Sequence, residues 1–301
     1  EASHWADVEG SREVRGEHVR KALEQRIYRA ALVQDRLLEL TKQGTFVINT
    51  RGEAIGTLNG LTVYADGEGA FGRPVRITAT AGLGREGVID IEREVQLAGP
   101  IFGKAMLIIA GFLADRFSQD KLLAVTIRIV FEQTYGGIEG DSASCAEVFA
   151  LVSQLADVPL KQGLAVTGSM DQFGRVQAIG GVNEKIEGFF DICKAEGLTG
   201  DQGVVIPSAN MRNLMLREDV VEAARRKQFH VYAIDSIDEG LEILTGLPAG
   251  SAGEDGYPMD SVNGRVDMKL SQYAVTLLMM EQGQPVMLPA EAAEAAEAKE
   301  S

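Results

Sequence analysis

Apolar residues recur along this chain with two periods, one near 3.6 and one near 2, and the switches between them predict its elements. Val19, Leu23, Ile27, Ala30, Ala31, Leu37 and Leu38, with Arg and Glu between them, predict one helix over residues 15–43, ended by Gly44. Residues 45–50 and 55–64 are β-rich runs separated by Arg51-Gly52-Glu53, which reads as a hairpin. A second hairpin is expected from residues 76–80 and 87–92, turning around Gly82 and Gly84. Residues 101–116 form an apolar helix and 125–131 an alternating strand. Further on, helices are predicted over 147–155, 185–193, 220–227 and 237–244, with strands at 163–167, 204–206 and 230–234. This alternation places the chain in the mixed α/β or α+β class. After Gly246 the pattern fades. Residues 250–256 read as linker, and residues 290–301, with four Glu against one Lys, as a frayed helix or an acidic tail of low complexity.

Composition narrows the function classes. Of 301 residues 45% are apolar, enough for a core of ordinary size, so the chain is not disordered. The net charge of −15 argues against nucleic-acid binding, which needs clustered Lys and Arg. Two cysteines, Cys145 and Cys193, supply neither a disulfide framework nor a structural zinc site, so reduced thiols and a cytoplasmic location are expected. The longest apolar run, residues 105–114, is about half of what a bilayer needs, so no membrane partner is expected. No signal peptide is apparent, and a chain that starts at Glu1 rather than Met reads as a fragment of something longer.

Four segments carry candidate chemistry. Residues 67–72 match GxGxxG, but Arg73-Pro74 and a strand follow instead of a helix, so a turn is expected. Residues 99–105 approximate a phosphate loop, one residue short and with Ala105 in place of the Mg²⁺-binding hydroxyl. Residues 139–145, Glu-Gly-Asp-Ser-Ala-Ser-Cys, form a polar turn running into an apolar helix, which puts Ser142 at or just before a helix N-terminus, where backbone N–H groups favour an oxyanion. The same residues also read as helix capping, with Asp141 as N-cap or Ser144 and Glu147 as a capping box. A nucleophilic serine needs a base. His4, His18 and His230 are the only histidines, and none has the spacing of a triad. Lys185 could serve if burial lowered its pKa, although it also reads as a solvated helix lysine beside Glu184 and Glu187.

Gly140-Asp-Ser-Ala-Ser144, Ala165-Val-Thr-Gly-Ser169 and Ile179-Gly-Gly-Val-Asn-Glu-Lys-Ile186, in this order and spacing, resemble the proteolytic domain of Lon proteases, with GDSAS in the form of the B-type branch. The resemblance covers residues 45–246 and implies a mixed α+β proteolytic fold, preceded over residues 1–44 by the end of an AAA+ lid and followed over 247–301 by linker and tail. It implies Ser142 as catalytic nucleophile and Lys185 as general base, with Thr167 bonded to the lysine and Asp141 and Glu139 as supporting acids. It also implies an endopeptidase acting on unfolded or damaged polypeptides, and a homo-hexamer. The chain itself needs no cofactor on this reading, ATP and Mg²⁺ belonging to an upstream ATPase module. The alternative is a non-catalytic Lon-like assembly or binding module.

Overall fold

A computed structural model of the chain describes residues 1–65, 69–254 and 256–284. The N-terminal part is helical: α1 (Ala2–Val8), α2 (Gly16–Ala30) and α3 (Leu32–Lys42). The single helix expected over 15–43 is therefore two, interrupted at Ala31, which ends α2 and starts α3. The chain then runs through β1 (Glu53–Ala54), β2 (Thr57–Ala65), β3 (Ala70–Leu83), β4 (Gly87–Asp90), α4 (Ile91–Glu94), α5 (Pro100–Phe117) and β5 (Val125–Phe131). There follow α6 (Ser144–Ala156), β6 (Leu160–Lys161), β7 (Leu164–Val166), β8 (Ser169–Met170), β9 (Val176–Gln177), α7 (Val182–Glu196) and β10 (Gly203–Pro207). After a 3₁₀ turn at Ser208–Asn213 come α8 (Glu218–Arg225), β11 (His230–Ile234), α9 (Ile237–Thr245) and α10 (Val262–Glu281).

Seven strands form one mixed sheet in the order β11-β10-β7-β2-β3-β5-β4. The β11-β10-β7-β2 side is parallel, whereas β3 runs antiparallel to both of its neighbours. Alternation along β2 sends Leu58 and Leu61 into two different cores. Leu58 joins the cluster built with α5, α6, α9 and α10, while Leu61 joins the one built with α7 and α8. The sheet thus lies between two helical layers, as expected where parallel strands are covered on both faces.

Both expected hairpins are corrected. Residues 45–50 form no strand; side chains hold their backbone, with Gln133 Oε1 accepting from Val47 N, Gln133 Nε2 donating to Thr45 O, Asn59 Nδ2 to Asn49 O and Gln202 Nε2 to Thr50 O. The long hairpin is β2–β3, from Thr57↔Thr78 to Ala65↔Ala70. Nor do β3 and β4 pair, because β5 lies between them, antiparallel to β3 and parallel to β4. In both cases local alternation marks extended chain but carries no information about the partner. The stretch after Gly246 is also corrected: it contains α10, whose Val262, Val266, Leu270 and Ala274 are buried at four-residue spacing against the α6 layer. The acidic tail 290–301, together with Gly67 and Glu68 of the GxGxxG match, lies outside the described residues. Among the described residues no helix is long and apolar enough to cross a membrane.

One feature of the core is costly. Asp90, Glu92 and Glu147 are all buried, and neither carboxylate oxygen of Glu147 has a hydrogen-bond partner. Burial, and then the charges of Asp90 and Glu92, push Glu147 up to about 8. The folded chain therefore keeps a proton that the unfolded chain releases above about pH 4.5, and stability falls as pH rises from there to about 8. Glu147→Gln removes this titration. Its thermal stability relative to wild type is expected to improve with pH, by up to about 1.4 kcal/mol per unit between pH 5 and 8. Denaturation at pH 5 and pH 8 checks this, and an equal difference at both pH values contradicts it.

Candidate active site

The segment before α6 is shaped by its hydrogen bonds. Gly140 has φ +100°, a backbone region that favours glycine, and it turns the chain from the Ile138 bridge into Asp141. Ser144 N and Ser144 Oγ both donate to Asp141 O, at 3.1 and 2.6 Å. Ser169 Oγ donates to Asp141 Oδ2 at 2.8 Å. Gly168 N donates to Ser142 O, and Cys145 N donates to Gly168 O. Nearly every polar group around Ser142 is thereby occupied by structure, and its own hydroxyl is left facing a lysine.

That lysine is Lys185, in the first turn of α7. Its Nζ lies 2.7 Å from Ser142 Oγ and 3.0 Å from Thr167 Oγ1. Thr167 Oγ1 donates its proton to Ser142 O at 3.0 Å, so it can only accept from the lysine. Lys185 is 3% exposed, and among the described residues no carboxylate lies within ion-pair distance of it. Burial lowers its pKa to about 8, the opposing charge of Asp141 recovering only part of the loss. The solvated-lysine reading is thereby excluded, and Glu187 is occupied elsewhere, accepting from Arg217 N.

The backbone of α7 reaches this position because two glycines face each other. A Cβ on Gly188 would stand 2.0 Å from Gly72 O, and one on Gly72 would stand 1.9 Å from Glu184 O and 2.6 Å from Lys185 Cα. The helix thus rests directly on the β3 backbone, with no side chain between.

The capping reading of residues 139–145 fails in each part. Ala143 is the N-cap of α6 and makes no side-chain cap bond, Asp141 accepts from Ser169, and Glu147 is unpartnered. Glu139 serves α5 instead: its Oε1 accepts from Ile101 N, so a carboxylate already occupies that helix N-terminus. Residues 99–105 therefore do not fit a phosphate. Gly69 and Gly72 belong to the β2–β3 hairpin and not to a strand-to-helix turn, so a dinucleotide site does not fit there either.

None of the three histidines approaches Ser142. His18 Nδ1 accepts from Arg15 N and its Nε2 faces Glu9. His4 meets Trp5 edge to face, and His230 Nε2 bonds Gly200 O in a separate cleft. Glu9, Glu17 and His18 have metal-ligand spacing, but both ring nitrogens of His18 are already engaged. Cys145 is fully buried and its thiol is pushed far up by burial, which removes it as a nucleophile.

Ser142 and Lys185 open onto a cleft of about 730 Å³ whose walls include Thr62, Val63 and Tyr64 of β2, Arg73 of β3, residues 133–139 and Gly180-Gly181. Of the five candidate residues, Ser142, Thr167 and Lys185 meet directly, Asp141 precedes Ser142 in the chain with its carboxylate accepting from Ser169 Oγ, and Glu139 faces the cleft while holding α5. Sequence reasoning assigned no role to Ser169, although it closes the second matched block, nor to the Gly72–Gly188 contact, which no local pattern announces.

Comparison with known proteins follows the same lines. Residues 114–246 match the Lon protease (S16) C-terminal proteolytic domain, and residues 1–29 match the archaeal LonB AAA+ ATPase LID domain. A Lon protease homolog of Escherichia coli strain K12 is 42% identical over 234 residues, covering 77% of this chain and 40% of that protein. A second Lon protease homolog, from Haemophilus influenzae, is 46% identical over 201 residues, 66% of this chain and 33% of its own length. The archaeal Lon protease of Thermococcus kodakarensis is 31% identical over 227 residues, 75% of this chain and 32% of its own length. The fold and these matches define a proteolytic domain of the S16 class. The chain belongs to the Lon protease family, and it spans well under half the length of these relatives.

The glycine contact yields a prediction. Gly188→Ala forces a backbone displacement and is expected to destabilise by about 1–3 kcal/mol. The control Gly103→Ala on α5, where nothing lies within 4 Å, is expected to be neutral or stabilising by about 0.4–1 kcal/mol. Urea denaturation of both variants checks this, and equal effects contradict it.

Proposed function

We propose that this chain carries a serine endopeptidase centre in which Ser142 is the nucleophile and Lys185 its general base. The observation that carries the reading is the 2.7 Å contact between Ser142 Oγ and a buried lysine that no carboxylate neutralises. With its pKa near 8, roughly one Lys185 in ten is neutral at pH 7, far more than for an exposed lysine. Neutral Nζ takes the Ser142 proton while Oγ forms a bond to the substrate carbonyl carbon. The N–H groups of Ser144 and Cys145 are committed to Asp141 O and Gly168 O, so those of Ser142 and Ala143 are assigned to the oxyanion. The Lys185 ammonium then returns its proton to the leaving amine as the peptide C–N bond breaks. Water, deprotonated by the same lysine, cleaves the acyl-enzyme ester and regenerates Ser142. Thr167 orients Nζ between its own hydroxyl and Ser142, and Asp141, anchored by Ser169, limits how far the lysine pKa falls.

The substrates on this reading are unfolded or damaged polypeptides, lying extended beside β2 at the cleft wall. Cleavage on this reading is coupled to an AAA+ module through the lid-like N-terminal helices, with ATP and Mg²⁺ held by that module. A homo-hexameric ring in the cytoplasm completes the proposal. Its peptidase body comprises residues 45–246 together with α10, which shares their core.

Incubation with unfolded casein and with a fluorogenic peptide tests the reading, alongside mass-spectrometric mapping of a serine-reactive inhibitor. Wild type is expected to cleave and to carry the label on Ser142, and Ser142→Ala to do neither. Cleavage no faster than in Ser142→Ala, or a label on Ser144, overturns it and leaves a non-catalytic module. The wild-type kcat/KM for the peptide is expected to rise with pH to a midpoint near 8 and then level off, as the lysine loses its proton. Lys185→Ala should lack that limb, and its survival in the variant contradicts the assignment of the base.

A further inference from the structure

The cleft that holds Ser142 contains a second cation with no partner. Arg73 lies on β3 opposite Thr62, on the strand face shared with Val75 and Ile77, and lines the same cleft as Ser142 and Lys185. Its guanidinium stands 4.2 Å over the ring of Phe46, which covers one face and leaves the in-plane N–H donors free to point into the cleft. Among the described residues it makes no ion pair, and its guanidinium makes no hydrogen bond. Partial burial lowers its pKa with no opposing acid. Two other arginines are treated differently: the partly buried Arg116 is forked onto Asp238, and the more exposed Arg217 onto Asp191. Glu139 lines the cleft too, but its Oε1 accepts from Ile101 N at the start of α5, and among the described residues it pairs with neither Arg73 nor Lys185. Two cations, Arg73 and Lys185, thus line the cleft against one carboxylate, Glu139, on a chain whose net charge is −15.

A half-buried guanidinium stacked on an aromatic ring and lacking a carboxylate is a fork with one side empty. We propose that Arg73 binds a carboxylate of the polypeptide substrate, making it a specificity-determining residue that favours peptides with an acidic group close to the scissile bond. The carboxylate comes from an Asp or Glu side chain or from a free peptide C-terminus, which share this chemistry. The proposal rests on the peptidase reading above. It gives a local reason why an acidic protein would take acidic segments that its overall field repels.

The probes are end-blocked fluorogenic peptides that place Glu, Gln or Lys at each position within three residues of the cleaved bond, and a Gln series with a free C-terminus. In wild type, one Glu position, or the free C-terminus, is expected to raise kcat/KM roughly 10-fold over its neutral counterpart, with the ratio shrinking in 0.5 M salt. Arg73→Gln is expected to bring that ratio to about 1, and Arg73→Glu to favour the Lys peptide. Because each ratio is taken within one variant, partial loss of folded sites does not distort it; should Arg73→Gln fail to label at Ser142, Arg73→Lys and the wild-type salt dependence decide. A wild-type ratio near 1 at every position overturns the proposal while leaving the peptidase standing. A ratio that persists in Arg73→Gln overturns the role of Arg73. No cleavage of any peptide, with no label on Ser142, removes the peptidase reading and this one with it.

Discussion

The removal of one ammonium group from water governs the rest of this structure. Lys185 Nζ faces two hydroxyls and no paired carboxylate, so its charged form is disfavoured by burial and only partly restored by Asp141. Holding it there takes support from several directions. The glycine contact between α7 and β3 sets the depth of the helix, Thr167 sets the direction of Nζ, and the Gly168 bonds set the height of Ser142 beneath it. The groups come from α7, the segment after β7 and the turn before α6, so the dyad forms only once the sheet has brought those strands and their helices together.

The layers on either side of the sheet divide this work. On one face α7 packs with Leu61, Val204 and Ile206 and carries Lys185; on the other α6 packs beneath Leu58, Val166 and Ile127 and follows the turn that holds Ser142. Ser142 and Lys185 meet beside Thr167, just past the end of the central strand β7, where the cleft opens along β2. The unpartnered carboxylate of Glu147 sits in the first turn of α6, just after Ser142, so the helix next to that serine also carries a buried acid raised to about 8.

The helices were the most legible part of the sequence. Those over 100–117, 237–245 and 218–225 fall within about two residues of the apolar periodicity that predicts them, and β5 and β11 match it in full. Pairing was not legible, because alternation tells which residues face the same way and not which strand lies alongside; β5 between β3 and β4 is the clearest instance. Helix α10 was missed because the Gly- and Ser-rich residues before it read as linker, although its buried stripe at 262, 266, 270 and 274 has helical spacing. At the site, residue types and spacing left Lys185 open between a solvated lysine and a base; only the resemblance chose, and burial supplies the physical reason. Arg73 had no signal at all, since an unpaired arginine looks like any other until its surroundings are known.

The central claim is that the Lys185 ammonium is held weakly enough to lose its proton near neutral pH. Selective ¹³C labelling of lysine, with the Lys185 Cε resonance assigned by its absence in Lys185→Arg and followed against pH by NMR, reads that proton directly. A midpoint near 8, moving upward when Thr167→Ala lets water reach Nζ, is the predicted result. A midpoint near the ordinary lysine value of 10.5 in the folded chain would contradict the account.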